Sequence, residues 1–141
     1  MGSPIVPNVV LDTNVIVSAV LRQGSNPDKI VEWVFSKKVK LYYTRKIFTE
    51  YRTVLHRPKF GFDSNVLGLL LESITYIGHI ISPEPSTVTL PDESDRIFYD
   101  TAKASGSHLI TGNIKHYPAE TFVLTPADFV GLMAKRGLSS E

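Results

Sequence analysis

The stretch Asn8-Val9-Val10-Leu11-Asp12-Thr13-Asn14 decides the fold class. Residues 9–11 form a short unbroken apolar run, as a strand buried within a parallel sheet does. The run stops abruptly at three polar residues, and Val15, Ile16, Ala19 and Val20 then recur at helical spacing. A strand that passes directly into a helix opens a βαβ unit, in which helices carry the chain back across the sheet.

The same alternation continues outward. Asn26-Pro27-Asp28 reads as a helix start, with Asn26 as N-cap, and Ile30, Val31, Val34 and Phe35 give that helix its apolar face. Trp33 belongs to the same helix as a packing residue. Residues 40–43 read as a strand whose tyrosines, Tyr42 and Tyr43, point to opposite sides. Thr44 caps a helix with Ile47, Phe48, Tyr51, Val54 and Leu55 inward, and Pro58 stops it. A long helix is expected from residue 63 to about 80, with Val66, Leu67, Leu70, Ile74 and Ile77 on one face. Asp92 opens another helix, carrying Ile97, Phe98 and Ala102, and Gly106 ends it. Residues 108–111 and 121–124 read as strands, and Thr125-Pro126 opens the last helix. The expectation is an α/β domain with a mostly parallel sheet.

A chain of 141 residues suits one domain. We divide it into a tail at 1–7, a domain at 8–135 and a tail at 136–141, with residues 82–86 the only linker-like stretch. At 43% apolar and 21% charged residues, neither disorder nor a fibrous repeat fits. The absence of cysteine excludes disulfides, thiolate metal sites and cysteine nucleophiles. The longest apolar run, residues 66–71, is far too short for a membrane span, and the N-terminus lacks a signal-peptide pattern, so a cytoplasmic protein is expected. Charge is segregated: residues 22–59 hold ten bases against three acids, a balance of +7 in a chain whose net charge is +1. Such a block is either a solvated helical face or a docking surface for a polyanion.

In open α/β sheets ligands sit beyond the carboxyl ends of the strands. Asp12 stands at such an end, as a helix N-cap or as a functional carboxylate. Glu50 lies beside the buried face of its helix, either paired with Lys46 or Arg57 or turned toward a cleft. Asp92 and Asp95 flank a helix start in a capping-box arrangement, from which Asp95 can reach the cleft. Thr111-Gly112-Asn113 follows a strand, as a plain turn or as a neutral oxygen donor at the rim. Three acids and an asparagine from four separate segments thus fall on one side of the sheet. Crowded carboxylates raise one another's pKa, and a hard cation such as Mg²⁺ or Mn²⁺ offsets the repulsion.

The ordered set Asp12-Thr13-Asn14 after the first strand, Glu50, Ser94-Asp95-Arg96-Ile97 with Ala102, and Leu109-Ile110-Thr111-Gly112-Asn113 resembles the PIN-domain nucleases. The resemblance covers roughly residues 9–133 and is closest to small toxin components of the VapC type. It implies a three-layer α/β/α sandwich and a Mg²⁺- or Mn²⁺-dependent endoribonuclease. Asp12, Glu50 and Asp95 correspond to the acidic metal-site residues, and Asp92 to an additional acid. Thr13 and Asn14 match the polar pair that fixes the loop, and Asn113 stands where the family often has Asp. That departure lowers the charge of the site and weakens the case for a second metal. RNA as substrate, a homodimer and a small antitoxin protein follow from the resemblance.

Arg22, Arg45, Lys46 and Arg52 are expected phosphate contacts, and His116 lies within reach of a scissile phosphate. Two rivals stand beside this reading. One is an inactive RNA- or protein-binding module, favoured by Asn113. The other is an aspartyl-nucleophile phosphatase of the haloacid dehalogenase type, which expects a second Asp where this chain has Asn14.

Overall fold

The computed structural model describes residues 6–137. The tails expected at 1–7 and 136–141 therefore lie largely outside the described residues. Five parallel strands form one sheet: β1 (Asn8–Leu11), β2 (Lys40–Tyr43), β3 (His79–Ile80), β4 (His108–Ile110) and β5 (Val123–Leu124), in the order β3-β2-β1-β4-β5. β1 is central and its residues Val9, Val10 and Leu11 are buried, as the unbroken apolar run requires. Six helices accompany the sheet: α1 (Thr13–Leu21), α2 (Asn26–Phe35), α3 (Arg45–Leu55), α4 (Ser64–Ile77), α5 (Arg96–Ser105) and α6 (Pro126–Lys135). α5 packs across β1, β2 and β4, α2 packs on α1, α4 and α6, and α3 joins α1 to α5.

Local chemistry sets the boundaries. Thr44 accepts from the Ile47 N–H at 3.1 Å to cap α3, and Thr125 accepts from Asp128 N–H at 3.1 Å to cap α6. Gly106 closes α5 with φ 64°, a left-handed conformation that a side chain would disfavour. Trp33 is buried against Phe129, edge to face. Tyr43 is buried, and Tyr42 stacks on His79 at 5.2 Å.

Four expectations need correction. The cap of α2 is Ser25, whose hydroxyl accepts from Asp28 N–H, so Asn26 is already helical. The long helix ends at Ile77; Gly78 breaks it, and His79–Ile80 pairs with Tyr42–Tyr43 as an unexpected fifth strand. The buried stripe of α4 is Leu67, Leu71 and Ile74, while Val66 faces solvent. Residues 82–86, read as linker-like, instead belong to an irregular strap, residues 82–91, that runs along α5. Arg96 ties that strap down through the Ser86 and Val88 carbonyls at 2.9 and 2.6 Å.

Candidate functional site

Asp12 closes β1 and precedes α1 with extended backbone (φ −61°, ψ 149°), but its carboxylate caps nothing. Its Oδ2 accepts from the Thr111 hydroxyl at 2.8 Å and the Tyr117 hydroxyl at 3.1 Å. The backbone beneath it is pinned as well. Asp12 N–H donates to the Ile110 carbonyl at 2.9 Å, and the buried Tyr51 hydroxyl donates to the Leu11 carbonyl at 2.5 Å. Asp12, only 6% exposed, thus has its carboxylate aimed by two hydroxyls and the backbone before it held by a third. Burial, and then the charge of Asp12, pushes the Tyr51 and Tyr117 hydroxyls far up, so both stay protonated donors.

Glu50 reaches the same place from α3. Its Oε2 accepts a short hydrogen bond from the Thr13 hydroxyl. Among the described residues it forms no ion pair, so pairing with Lys46 or Arg57 does not explain it. Asp12 and Glu50 border a cleft of about 610 Å³ whose other walls include Lys46, Arg57 and Phe60.

Asp95 is linked to Asp12 and Glu50 by their charges. It closes a 3-10 turn (Glu93–Asp95) and precedes α5, without capping it. Its Oδ2 is buried with no hydrogen-bond partner, and His116 Nδ1 lies 3.4 Å from it. Burial first, then the charges of Asp12 and Asp92, push the Asp95 carboxyl up to about 6, while His116 opposes them. Asp12 and Glu50 therefore share one cleft, and their fields act on Asp95.

The remaining expected residues divide. Asp92 is an exposed cap: it accepts from Ser94 N–H at 2.9 Å, and that bond holds its carboxyl below the ordinary range. The Asn113 side chain is exposed and caps nothing; its N–H donates to Thr111 Oγ1 at 2.9 Å. Thr111 therefore links the Asn113 turn to Asp12. Asn14 accepts from Gly112 N–H at 3.0 Å, and a Cβ on Gly112 would stand 3.2 Å from that oxygen. Of the expected phosphate contacts, Lys46 borders the acidic cleft, and Arg45 joins Lys46 in a neighbouring groove. Arg22 and Arg52 border neither, and Arg52 lies over the Phe48 ring at 6.0 Å.

A family model described as PIN domain matches residues 8–115. The chain belongs to the PIN-domain family. It is 30% identical over 109 residues to the uncharacterized protein MJ1680 of Methanocaldococcus jannaschii, covering 74% of this chain and 70% of that one. Its fold is similar to the crystal structure of PAE2754 from Pyrobaculum aerophilum, with a TM-score of 0.60 at 14% identity, over 92% of this chain and 90% of that one. The PIN fold is generally that of a metal-dependent nuclease.

Among the described residues, no three His, Asp or Glu side chains are drawn together as a ready metal cluster. The donor set fits a hard divalent cation all the same. It offers oxygen ligands only, one of them the orphaned Asp95 Oδ2, in a field that penalises unneutralised carboxylate. Sequence reasoning missed the PIN domain's Tyr117, which follows a 3-10 turn (Ile114–His116) where no periodicity marks an inward residue. It also read Thr111 only as the end of a strand and the start of a turn.

Proposed function

We propose that this PIN domain is a Mg²⁺- or Mn²⁺-dependent endoribonuclease. The observation that carries the reading is the buried Asp95 oxygen without a hydrogen-bond partner, lying in the field of Asp12 and Glu50, which border one cleft. Asp12 and Asp95 are the primary metal ligands, Glu50 a ligand or second-layer base, Asn113 an auxiliary ligand and Asp92 a peripheral one. When bound, the cation neutralises charge on the phosphodiester and acidifies the attacking water. The protein's own groups do the positioning. Thr111 and Tyr117 orient Asp12, Thr13 orients Glu50, and Lys46 and Arg57 hold phosphate beside them.

By resemblance, the physiological setting is a toxin-type cytoplasmic ribonuclease that pairs with a second copy of itself and with a small antitoxin protein. No helix among the described residues is long and apolar enough to cross a membrane. Cleavage of a mixed pool of single-stranded and structured RNA tests the reaction class. Cutting that requires Mg²⁺ or Mn²⁺ and stops in EDTA is expected, and cutting indifferent to EDTA overturns the metal assignment. A second reading, an RNA-binding module without turnover, is favoured by the neutral Asn113 and by the absence of a gathered metal cluster. RNA affinity in EDTA without cleavage under either metal selects it.

A further inference from the structure

The cleft that Asp12 and Glu50 border is a furrow between α1 and α3. Asn14 and Val17 line it from α1, and Lys46, Glu50 and Val54 line it from α3. Residues three or four apart share one helix face, so these side chains follow the length of the furrow. Lys46 stands in the first turn of α3, and Arg57 lies just past its end, roughly 15 Å further along. Glu50 therefore sits between two cations along α3, and the furrow exceeds the length of a single nucleotide.

Phe60 borders the same furrow. It closes the 3-10 turn Pro58–Phe60, and Phe62 stacks on it with ring centroids 5.2 Å apart and planes within 7°. Both rings are only partly buried. The exposed Lys59 places its Nζ over the Phe60 ring, 5.2 Å from the centroid. A solvated ammonium reaches a ring only where the π face is open to water. The wall of an acidic cleft thus carries an aromatic ring braced by a second ring and covered by nothing heavier than an exposed cation. Core packing would bury such a pair, whereas a seat for the flat face of a nucleobase leaves it half open.

We propose that Phe60 is a stacking seat for an unpaired nucleobase of single-stranded RNA, on a nucleotide flanking the one held at Asp12 and Glu50, with Arg57 and Lys59 on its phosphate. This rests on the reading of the acidic cleft as an RNA site. An arriving base exchanges with the Lys59 ammonium on the ring, and the ammonium turns to the phosphate that the base brings with it. Stacking needs only a π face, so the seat takes any of the four bases. It refuses the bases of a duplex, whose faces are covered by their neighbours. The seat thereby favours single strands without reading their sequence.

Fluorescence anisotropy on the full chain in EDTA tests the seat, using a labelled uridine octamer and an octamer of the same ribose–phosphate backbone without bases. Wild type is expected to bind the uridine octamer about tenfold more tightly. Phe60→Leu keeps an apolar side chain on the wall but removes the ring. It is expected to abolish that preference while the baseless octamer binds as it does to wild type, and Phe60→Tyr, which restores a ring, is expected to keep the preference. Should Phe60→Leu fail to fold, a dihydrouridine octamer decides with wild type alone, because its saturated rings keep their polar edge but cannot stack. About tenfold weaker binding than uridine is expected, and equal binding overturns the seat. Equal binding of uridine and baseless octamers by wild type, a preference that survives Phe60→Leu or is lost in Phe60→Tyr, or a fall for both octamers alike in Phe60→Leu also overturns it. So does a lack of binding by either octamer, since stacking needs no metal. In each case Mg²⁺-dependent cleavage leaves the nuclease reading standing, and indifference to bases is the pattern expected if the furrow holds a peptide. A wild type that neither binds RNA in EDTA nor cleaves it with Mg²⁺ overturns both readings together.

Discussion

Asp12 is oriented by two hydroxyls and by no cation, which leaves its full negative charge available to the cleft. Tyr117→Phe removes one of those donors with almost no change of volume. Loss of a group that orients a ligand commonly costs 10–100-fold, so turnover of Tyr117→Phe is expected to fall at least about tenfold while its circular dichroism stays that of wild type. Asp95 carries a stability cost. Its carboxyl ordinarily titrates near 3.8 and is pushed to about 6 in the fold, first by burial. The folded state therefore binds the proton more tightly than the unfolded chain does. The stabilisation from that proton is complete below the lower value and is lost as pH rises through the upper one. In EDTA, Asp95→Asn is expected to melt at a higher temperature than wild type at pH 8 and at nearly the same temperature near pH 4. A lower melting temperature at pH 8 contradicts the repulsion argument. The acids of this site were legible because each follows a strand or sits on a definable helical phase. Tyr117 was not, because it arrives from an irregular segment and its partner is 105 residues away.

At the scale of elements, α5 and the strap are one unit, tied by Arg96 and by Asp100, which accepts from Ser86 N–H. Arg96 binds three backbone or hydroxyl oxygens of the strap besides Glu93. Lysine cannot reproduce that planar fork. Arg96→Lys is expected to lower the midpoint of urea unfolding and to speed proteolysis within residues 82–91. Unchanged proteolysis would show that Arg96 does not hold the strap. The proline, serine and glutamate of its first five residues had suggested a linker, since nothing in residues 82–86 announces a partner fourteen residues on. β3 was hidden for a different reason. Two residues are too few to show a period, and Ile77 and Ile80 continue the helical spacing of α4. Gly78 decides the matter, because a Cβ there would stand 2.7 Å from the Tyr43 ring. In α4, which packs against α2, adjacent Leu70 and Leu71 offer two overlapping stripes, and the one through Leu71 is buried.

At the scale of the molecule, parallel architecture and the position of the site were legible together, because a buried parallel strand ending in Asp fixes both the layer and its functional edge. The basic block was legible only as a block. Folding sends Lys46 and Arg57 to the cleft and leaves Arg22 and Arg52 elsewhere. For single-stranded nucleic acid each phosphate contact contributes about 0.7 to the slope of log affinity against log salt. Lys46→Ala is expected to flatten that slope by about this amount for RNA, whereas Arg22→Ala leaves it unchanged. The most direct test of the whole account is RNA cleavage with Mg²⁺ by wild type and by Asp12→Asn purified side by side, with folding of both checked by thermal melting. A folded Asp12→Asn that has lost cleavage is the predicted result. A folded Asp12→Asn that cuts at the wild-type rate would contradict it, and the convergence of carboxylates would then be structure without chemistry.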